Sequence, residues 1–150
     1  MVAMLAYCPI RLKKLSALEL GRSFVREQDR WGITLPGAEV KNGRADLRLI
    51  RSRLNPAIGL YLTWARPRLM RHTDEFMIGD EQSRLLTGPL WVGQYDEALS
   101  YGSVERRIME TTRSVIGRAL SPHDFRRSGA FTARYRAGSE PHLASGLLQH

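Results

Sequence analysis

The stretch "LSPHDFRRSGAFTARYRAG", residues 120–138, decides how the rest of the chain is interpreted. Ser121 has the side chain of a helix N-cap, and Pro122 is favoured at the first position of a helix. His123 and Arg126 are three residues apart, so they share one face of the predicted helix. The N–H groups and the dipole of a helix start favour an anion. The stretch therefore predicts a helix start that could hold a phosphate between an imidazole and a guanidinium.

Taken alone, His123 and Arg126 have a simpler interpretation as surface residues near a capped helix start, because a pattern this short is common. The charge of the chain favours the anion. It has 23 Lys and Arg against 15 Asp and Glu, a formal net charge of +8. Twenty of the 23 are arginine, whose planar fork suits bidentate contact with phosphate. A polyanion is the leading partner, and solvated arginine faces are the competing explanation.

Length and composition place the chain among globular proteins of one domain. It has 150 residues, of which 43% are hydrophobic and 25% charged. No apolar run is long enough to span a membrane, and the charge of the opening "MVAMLAYCPIRLKK" follows its short apolar run, unlike a signal peptide. The single cysteine, Cys8, excludes an internal disulfide, so a cytoplasmic location is expected. No His, Cys or acidic residues have the spacing of metal ligands, and no metal or cofactor is predicted.

The front of the chain is predicted to hold two short helices. Residues 1–7 are predicted as the end of a helix that Pro9 interrupts. A short amphipathic helix follows, with Arg11 in its first turn and with Leu12, Leu15 and Leu18 at helical spacing.

Alternating apolar residues predict two strands, which contain Trp31, Ile33 and Leu35 and then Leu47 and Leu49. Between the strands, "VKNGR" at 40–44 contains Asn42-Gly43, which favours a two-residue hairpin turn because both central positions need positive φ. Lys41 is therefore predicted beside the tip of a small β-hairpin.

The remaining elements are predicted to be mainly helical. Asn55 is expected to cap a helix that has Pro56 at its first position and carries Leu60, Tyr61 and Trp64. The three tryptophans, Trp31, Trp64 and Trp91, are expected in the core. Residues 66–88 are predicted as loop plus short helix, and the basic run at 66–71 either follows a DNA backbone or is a solvated loop.

Two further helices are predicted towards the end of the chain. Residues 103–117 have Val104, Ile108 and Val115 at helical spacing, and Gly117 is a plausible terminator. Glu140-Pro141 is expected to open a last helix with Leu143, Leu147 and Leu148. The predicted fold is α+β, mainly α, with one small antiparallel sheet.

Five residues on these elements carry a resemblance to a known family: Arg11, Lys41, His123, Arg126 and His150. Arg11 lies in "CPIRLKKLSALEL", Lys41 lies at the predicted hairpin, and His150 closes the apolar "LASGLLQH". With His123-x-x-Arg126 at a helix start, this order resembles the catalytic domain of the tyrosine recombinases, the phage-integrase family, from about Tyr7 to His150. The resemblance implies that family's helical catalytic fold.

The resemblance also implies phosphoryl transfer on double-stranded DNA, without metal or cofactor. A tyrosine attacks the scissile phosphodiester and forms a 3′-phosphotyrosyl link. Arg11 and Arg126 would clamp the dianionic transition state, and Lys41 would protonate the leaving 5′-oxygen. His123 would assist proton transfer and His150 would donate a hydrogen bond to a phosphate oxygen. Contacts to DNA are expected from Arg11, Lys41, Arg44, Arg126 and Arg127.

Departures from the family pattern shape the expected activity. The family's nucleophilic tyrosine lies about ten residues beyond the position of His150, and none of the tyrosines in this sequence stands in that place. Tyr135, nine residues after Arg126, is a poor substitute because covalent catalysis needs an in-line position. Lys14 stands where many members have glutamate, and Gln149 replaces the usual glycine.

Residues 1–150 are therefore expected to form a single incomplete catalytic domain, without the core-binding domain that usually precedes it and without the segment that carries the tyrosine. Site-specific recombination or integration is expected of the complete protein, and DNA binding alone of this chain. Oligomerisation on DNA is expected for the complete protein and is in doubt for this chain. The alternatives are a non-catalytic DNA-binding module or decayed integrase remnant, and an unrelated basic helical domain that binds RNA or another acidic partner.

Overall fold

The computed structural model describes residues 1–36, 45–70, 87–94 and 97–137. Its helices are α1 (Val2–Tyr7), α2 (Leu12–Ser16), α3 (Asn55–Leu60), α4 (Arg66–Met70), α5 (Tyr101–Ile116) and α6 (Pro122–Ala137). Its strands are β1 (Glu19–Leu20), β2 (Phe24–Glu27), β3 (Arg30–Leu35), β4 (Asp46–Leu49) and β5 (Gly88–Pro89). The predicted class, α+β with mainly helix and one small sheet, is confirmed.

The chain divides into two compact units. The first, called the helical unit below, contains Met1–Leu15, Leu35–Asp46 and Tyr101–His150. The second, called the sheet unit, contains Ser16–Thr34 and Leu47–Ser100. Both predicted helices at the front of the chain are confirmed as α1 and α2, which Pro9 separates.

The core of the helical unit forms where α1 packs on α5 and α6. Val104, Ile108 and Thr112 are the buried residues of α5, spaced four apart so that they share one face. The prediction was wrong for Val115, whose side chain is 75% exposed. Val115 lies in the last turn of α5, and the buried stripe ends one turn earlier at Thr112.

The turn between α5 and α6 confirms the predicted stop and start signals. Gly117 has φ of +73° and its N–H donates to the Arg113 carbonyl over 2.9 Å, which ends α5 with a left-handed residue. Ser121 caps α6, because its Oγ accepts the Asp124 N–H over 3.3 Å. Asp124 Oδ2 in turn accepts the N–H and the Oγ–H of Ser121, over 2.9 Å and 2.8 Å. This is a capping box in which aspartate takes the usual place of glutamate.

The capping box also sets the ionisation of Asp124. The side-chain hydrogen bond from Ser121, followed by the backbone one, holds the pKa of the Asp124 carboxyl below its usual value of 3.8. Because both bonds are made to the charged form, the carboxylate that stabilises the start of α6 is present at neutral pH.

The sheet has the strand order β4-β3-β2-β1-β5. β2 and β3 pair antiparallel, with Phe24 opposite Ile33, as do β1 and β5. The expectation of a purely antiparallel sheet was wrong, since β1 and β2 pair parallel through Leu20 and Phe24. The two-residue β1 is followed by a turn in which the Gly21 N–H donates to the Phe24 carbonyl, so β2 does not fold back as a hairpin partner.

Both strands predicted from alternation are present, as β3 and β4, and they are neighbours in the sheet. Ile33 is fully buried, and Trp31 stacks on Phe24 with 5.0 Å between ring centroids. Leu47 and Leu49 stay exposed and lie over Gly32, where an added Cβ would come within 2.9 Å of Leu47 Cδ1. The predicted turn at Asn42-Gly43 lies outside the described residues.

A nearly continuous helical segment runs through the sheet unit from residue 52 to residue 70. It begins as a 3-10 helix (Ser52–Leu54), continues as α3, widens to a π-helix (Tyr61–Ala65) and ends as α4. The prediction that Asn55 caps α3 was wrong. The N-cap is Leu54, and the Asn55 amide donates instead to the Asp29 carbonyl over 2.6 Å.

Arg66 differs most from its sequence interpretation. The basic run at 66–71 was predicted to lie along DNA or in a solvated loop, yet Arg66 is fully buried in α4. Its Nη2 donates to the Thr87 carbonyl over 2.8 Å and to the Pro89 carbonyl over 3.1 Å, and its Nε donates to Pro89 over 3.3 Å. Buried charges need such partners, so Arg66 is a structural residue that holds the segment at β5. Residues 71–86 lie outside the described part of the chain.

The tryptophans divide between core and surface. Trp91 is buried, and beside it the Tyr61 hydroxyl donates to the Leu90 carbonyl over 2.8 Å. Trp31 is partly buried against Phe24. The prediction for Trp64 was wrong, since its side chain is 53% exposed. The Arg68 guanidinium lies 4.2 Å from the Trp64 ring centroid, a cation–π contact that stabilises the ring at the surface.

Within the described ranges, the search for a helix with the length and apolarity of a membrane span returns none.

Replacing Gly117 by alanine should lower the free energy of unfolding by about 1 kcal/mol, because an L-residue is strained in the left-handed region. The space around Gly117 is open, so the effect should come from the backbone alone. Gly102→Ala in α5 is the matched control, since its surroundings are equally open, and it should raise stability by about 0.5 kcal/mol. Urea denaturation of both variants checks the prediction. Equal and same-signed changes would contradict it.

Asp124→Asn should lower the thermal midpoint at pH 7, because the capping carboxylate has a pKa below its unfolded value of 3.8. Such a group stabilises the fold fully above 3.8 and loses that contribution as the pH falls through the folded pKa. The difference in midpoint between wild type and variant should therefore narrow in acid. Ser121→Ala, which removes the main cause of the shift, should flatten the difference. A gap that is the same at neutral and acid pH would be inconsistent with the capping role.

Candidate functional site: a cationic cluster in the helical unit

A single hydrogen bond joins the two segments that the sequence interpretation singles out. Arg126 Nη1 donates to the Pro9 carbonyl over 2.9 Å, across 117 positions of sequence. Both residues belong to the helical unit, and α1 packs against α6 next to them in sequence. The guanidinium on α6 is thereby fixed to the corner between α1 and α2.

Arg11 follows this corner by two residues. Its carbonyl accepts the N–H groups of Lys14 and Leu15, each over 2.9 Å, so the Arg11 backbone forms the start of α2. The Arg11 side chain is exposed, whereas Ile10 and Leu12 on either side are buried. The sequence prediction of an arginine at the opening of a short helix is correct in position.

His123 and Arg126 lie in the first two turns of α6, as predicted. The His123 side chain is exposed and that of Arg126 is half-buried. One turn of helix separates them, so they lie on the same face. Arg127 is exposed beside them. The structure therefore brings an imidazole and two guanidiniums onto α6 and links one guanidinium to the corner before Arg11.

The electrostatics of the start of α6 differ from the sequence interpretation in one respect. The Ser121 hydroxyl already accepts the Asp124 N–H, and the Asp124 carboxylate adds a negative charge directly after His123. An anion at this helix start would therefore depend on the arginine side chains more than on the backbone N–H groups.

Three predicted site residues, Lys41, Arg44 and His150, lie outside the described residues. Their assignments stay predictions, and so does the last helix beginning at Glu140-Pro141.

Sequence reasoning missed two contributors to this site. The Pro9 carbonyl acts through the backbone, which no side-chain pattern reveals. Thr112, inside α5, accepts the Leu120 N–H over 2.9 Å and so fixes the segment that leads into α6. Helical spacing placed Thr112 on the apolar face of α5, and that position is the only signal that could have drawn attention to it.

The position of Tyr135 agrees with its expected exclusion as a nucleophile at this site. Helix α6 is continuous from Pro122 to Ala137, so nine residues separate Arg126 and Tyr135 by about 13 Å along the axis. Nine residues also rotate the helix by about half a turn beyond two full turns. Tyr135 is 83% exposed, on the far side of α6 from Arg126.

Among the described residues, no three His, Cys, Asp or Glu side chains are arranged to hold a metal ion. The arginines are thus the cations that the described part of this site offers to an anion.

The comparisons with known proteins bear on the fold. No family model matches the sequence, and no curated protein matches it. Among solved structures, the XerA recombinase has a TM-score of 0.61 and 21% sequence identity, with 99% of this chain and 47% of that chain covered. The XerH site-specific recombinase, in a pre-cleavage complex bound to difH substrate, has a TM-score of 0.65 and 14% identity, with 99% of this chain and 38% of that one covered.

The present chain thus spans less than half the length of either recombinase chain. At this level of identity the similarity concerns the course of the backbone, and it extends over nearly all of the residues compared. The chain has a tyrosine-recombinase-like fold.

Proposed function

We propose that this chain binds double-stranded DNA as part of the catalytic domain of a site-specific recombinase, with Arg11 and Arg126 gripping one phosphodiester. The hydrogen bond from Arg126 to the Pro9 carbonyl carries this proposal. It ties the arginine of α6 to the segment that bears Arg11, so two guanidiniums that are far apart in sequence belong to one site.

The chemistry of strand cleavage explains why two arginines are needed. When an oxygen nucleophile attacks a phosphodiester, two negative charges develop on the non-bridging oxygens. Guanidiniums that are already in place stabilise this charge without reorganisation in the transition state. The Pro9 carbonyl supplies that preorganisation for Arg126, and the helical turn that begins at Arg11 supplies it for the backbone of the second arginine.

The other residues complete the proposed reaction. The tyrosine Oη attacks phosphorus, the 5′-oxygen departs with a proton from Lys41, and a 3′-phosphotyrosyl link remains. His123 accepts or returns the proton of the tyrosine, and His150 donates a hydrogen bond to a phosphate oxygen. The attack runs in reverse when the 5′-hydroxyl of a partner strand displaces the tyrosine, which gives strand exchange.

Charge and the structural relatives support DNA as the partner. The formal net charge of +8 is made mainly of arginine, which pairs with phosphate. XerH is a site-specific recombinase seen with its difH substrate in a pre-cleavage state. Cleavage and recombination are assigned to the complete protein, because the chain spans less than half of these recombinases.

A non-catalytic DNA-binding module is the second candidate. The placement of Tyr135 favours it, since the most exposed of the described tyrosines lies on the far side of α6 from Arg126. In that case the same two arginines hold a phosphate and no bond is broken.

Arg126→Ala should weaken binding to duplex DNA and lower the slope of log K against log salt by about one, because one phosphate contact is lost. Arg134→Ala is the matched control, an exposed arginine two turns further along α6. It should leave the slope within error if only the clamp touches DNA. Fluorescence anisotropy across a salt series measures both. An equal loss from both variants would indicate diffuse binding and would contradict the proposed clamp.

A second prediction concerns cleavage by the 150-residue chain. With a nicked duplex that traps covalent intermediates, no DNA adduct should form, since Tyr135 cannot lie in line with a phosphate held by Arg126. Denaturing electrophoresis of the mixture detects an adduct by its mobility. An adduct that disappears in Tyr135→Phe would overturn the assignment of Tyr135, and an adduct that survives would direct the search to another tyrosine.

A further inference from the structure

Thr112 makes a contact that the local structure of α5 does not explain. Its side chain is 3% exposed, and its hydroxyl lies 3.0 Å from the carbonyls of Ile108 and Met109. A threonine in a helix commonly bonds such a carbonyl one turn back. Thr112 Oγ1 in addition accepts the N–H of Leu120 over 2.9 Å, beyond the end of its own helix.

The neighbouring residue on α5 makes the difference visible. Thr111 is exposed, and its hydroxyl donates to the Arg107 carbonyl over 2.7 Å within the same helix. Both threonines therefore satisfy the local pattern, but the bond to the segment before α6 is made by Thr112.

The Leu120 bond is one of two consecutive constraints on the segment that leads into α6. The N–H of Leu120 is held by Thr112, and the next N–H, that of Ser121, is held by the Asp124 carboxylate. Before them, Gly117 turns the chain with its positive φ. Two successive peptide groups held by two side chains fix the direction in which the first turn of α6 starts.

That direction determines where the cationic side chains point. His123 is the second residue of α6 and Arg126 the fifth, so both lie within about 8 Å of the helix start. The Nη1 of Arg126 reaches the Pro9 carbonyl at 2.9 Å from this helix. A small tilt of the first turn would move Arg126 away from Pro9, because a hydrogen bond weakens steeply once its length and angle change.

We propose that Thr112 is a positioning residue for the cationic cluster: its hydroxyl orients the start of α6 so that Arg126 meets the Pro9 carbonyl and, with Arg11, a phosphate. The part of this inference that concerns DNA rests on the proposed function. The hydroxyl is the group that matters. Valine has nearly the same shape but leaves the Leu120 N–H without its acceptor, and the cost falls on the lead-in to α6.

The test compares Thr112→Val with Thr111→Val in the full chain, at a temperature where both remain folded. Thr112→Val should weaken binding to duplex DNA by about threefold to tenfold, the effect of one lost hydrogen bond on the population of the binding geometry. Thr111→Val should change it by less than about twofold, since that hydroxyl contacts only its own helix. Thr112→Ser keeps the hydroxyl and should restore affinity.

The same variants in the Arg126→Ala background separate positioning from general stability. If Thr112 acts through Arg126, Thr112→Val should have little further effect once Arg126 is gone. An undiminished effect in that background, or an equal effect from Thr111→Val, would overturn the proposal.

Two readouts remain informative if DNA binding itself is disproved. Amide exchange should be faster at Leu120 in Thr112→Val than in wild type, and the NMR signals of the Arg126 guanidinium should shift. If Arg126→Ala leaves DNA binding unchanged but both signals respond to Thr112→Val, the proposed function fails and the positioning role stands. If neither signal responds, the positioning role fails whatever the DNA result.

Discussion

The contact between Arg126 and the Pro9 carbonyl is the interaction on which the candidate site depends. It joins the first and last described segments of the helical unit, and it determines where the guanidinium can be. A charged donor to a neutral carbonyl is stronger than an ordinary backbone bond, and α1 packs on α6 beside it. The same side chain thus closes the fold of the unit and supplies a cation to the site.

Arginine has a second structural use in the sheet unit. Arg66 is fully buried, and it holds the carbonyls of Thr87 and Pro89 much as Arg126 holds that of Pro9. Arg68 instead covers the exposed ring of Trp64. The arginine-rich composition is therefore shared between folding and surface charge, and counting basic residues overstates the charge available to a nucleic acid.

The features that the sequence predicts well are those that local chemistry decides. The start of α6 follows from Ser121, Pro122 and Asp124, and the end of α5 follows from Gly117, because each of these residues acts on peptide groups within four positions of itself. Where the decision belongs to distant partners, prediction fails. Arg66 is buried because two carbonyls more than twenty positions away accept its protons, and Trp64 is exposed because Arg68 covers it.

The candidate site has the same division. The pattern His123-x-x-Arg126 and the position of Arg11 could be derived from the sequence, since both depend on helix starts. The Pro9 carbonyl and the Thr112 hydroxyl could not, because their partners lie on other elements. Sequence reasoning thus predicts which side chains carry the charge and misses the neutral groups that aim them.

The π-helix at Tyr61–Ala65 has a consequence for how this chain tolerates changes in length. A π turn accommodates one more residue than an α turn over the same rise, so it is where a helix absorbs an insertion. Removing one residue there would make the segment a regular α-helix and rotate everything after it by about 100°. Arg66 would then face away from Pro89, while Ile58 before the turn would keep its place. The widened turn therefore records a register that the buried arginine requires, and homologous chains of different length at this point would need another way to hold the segment at β5.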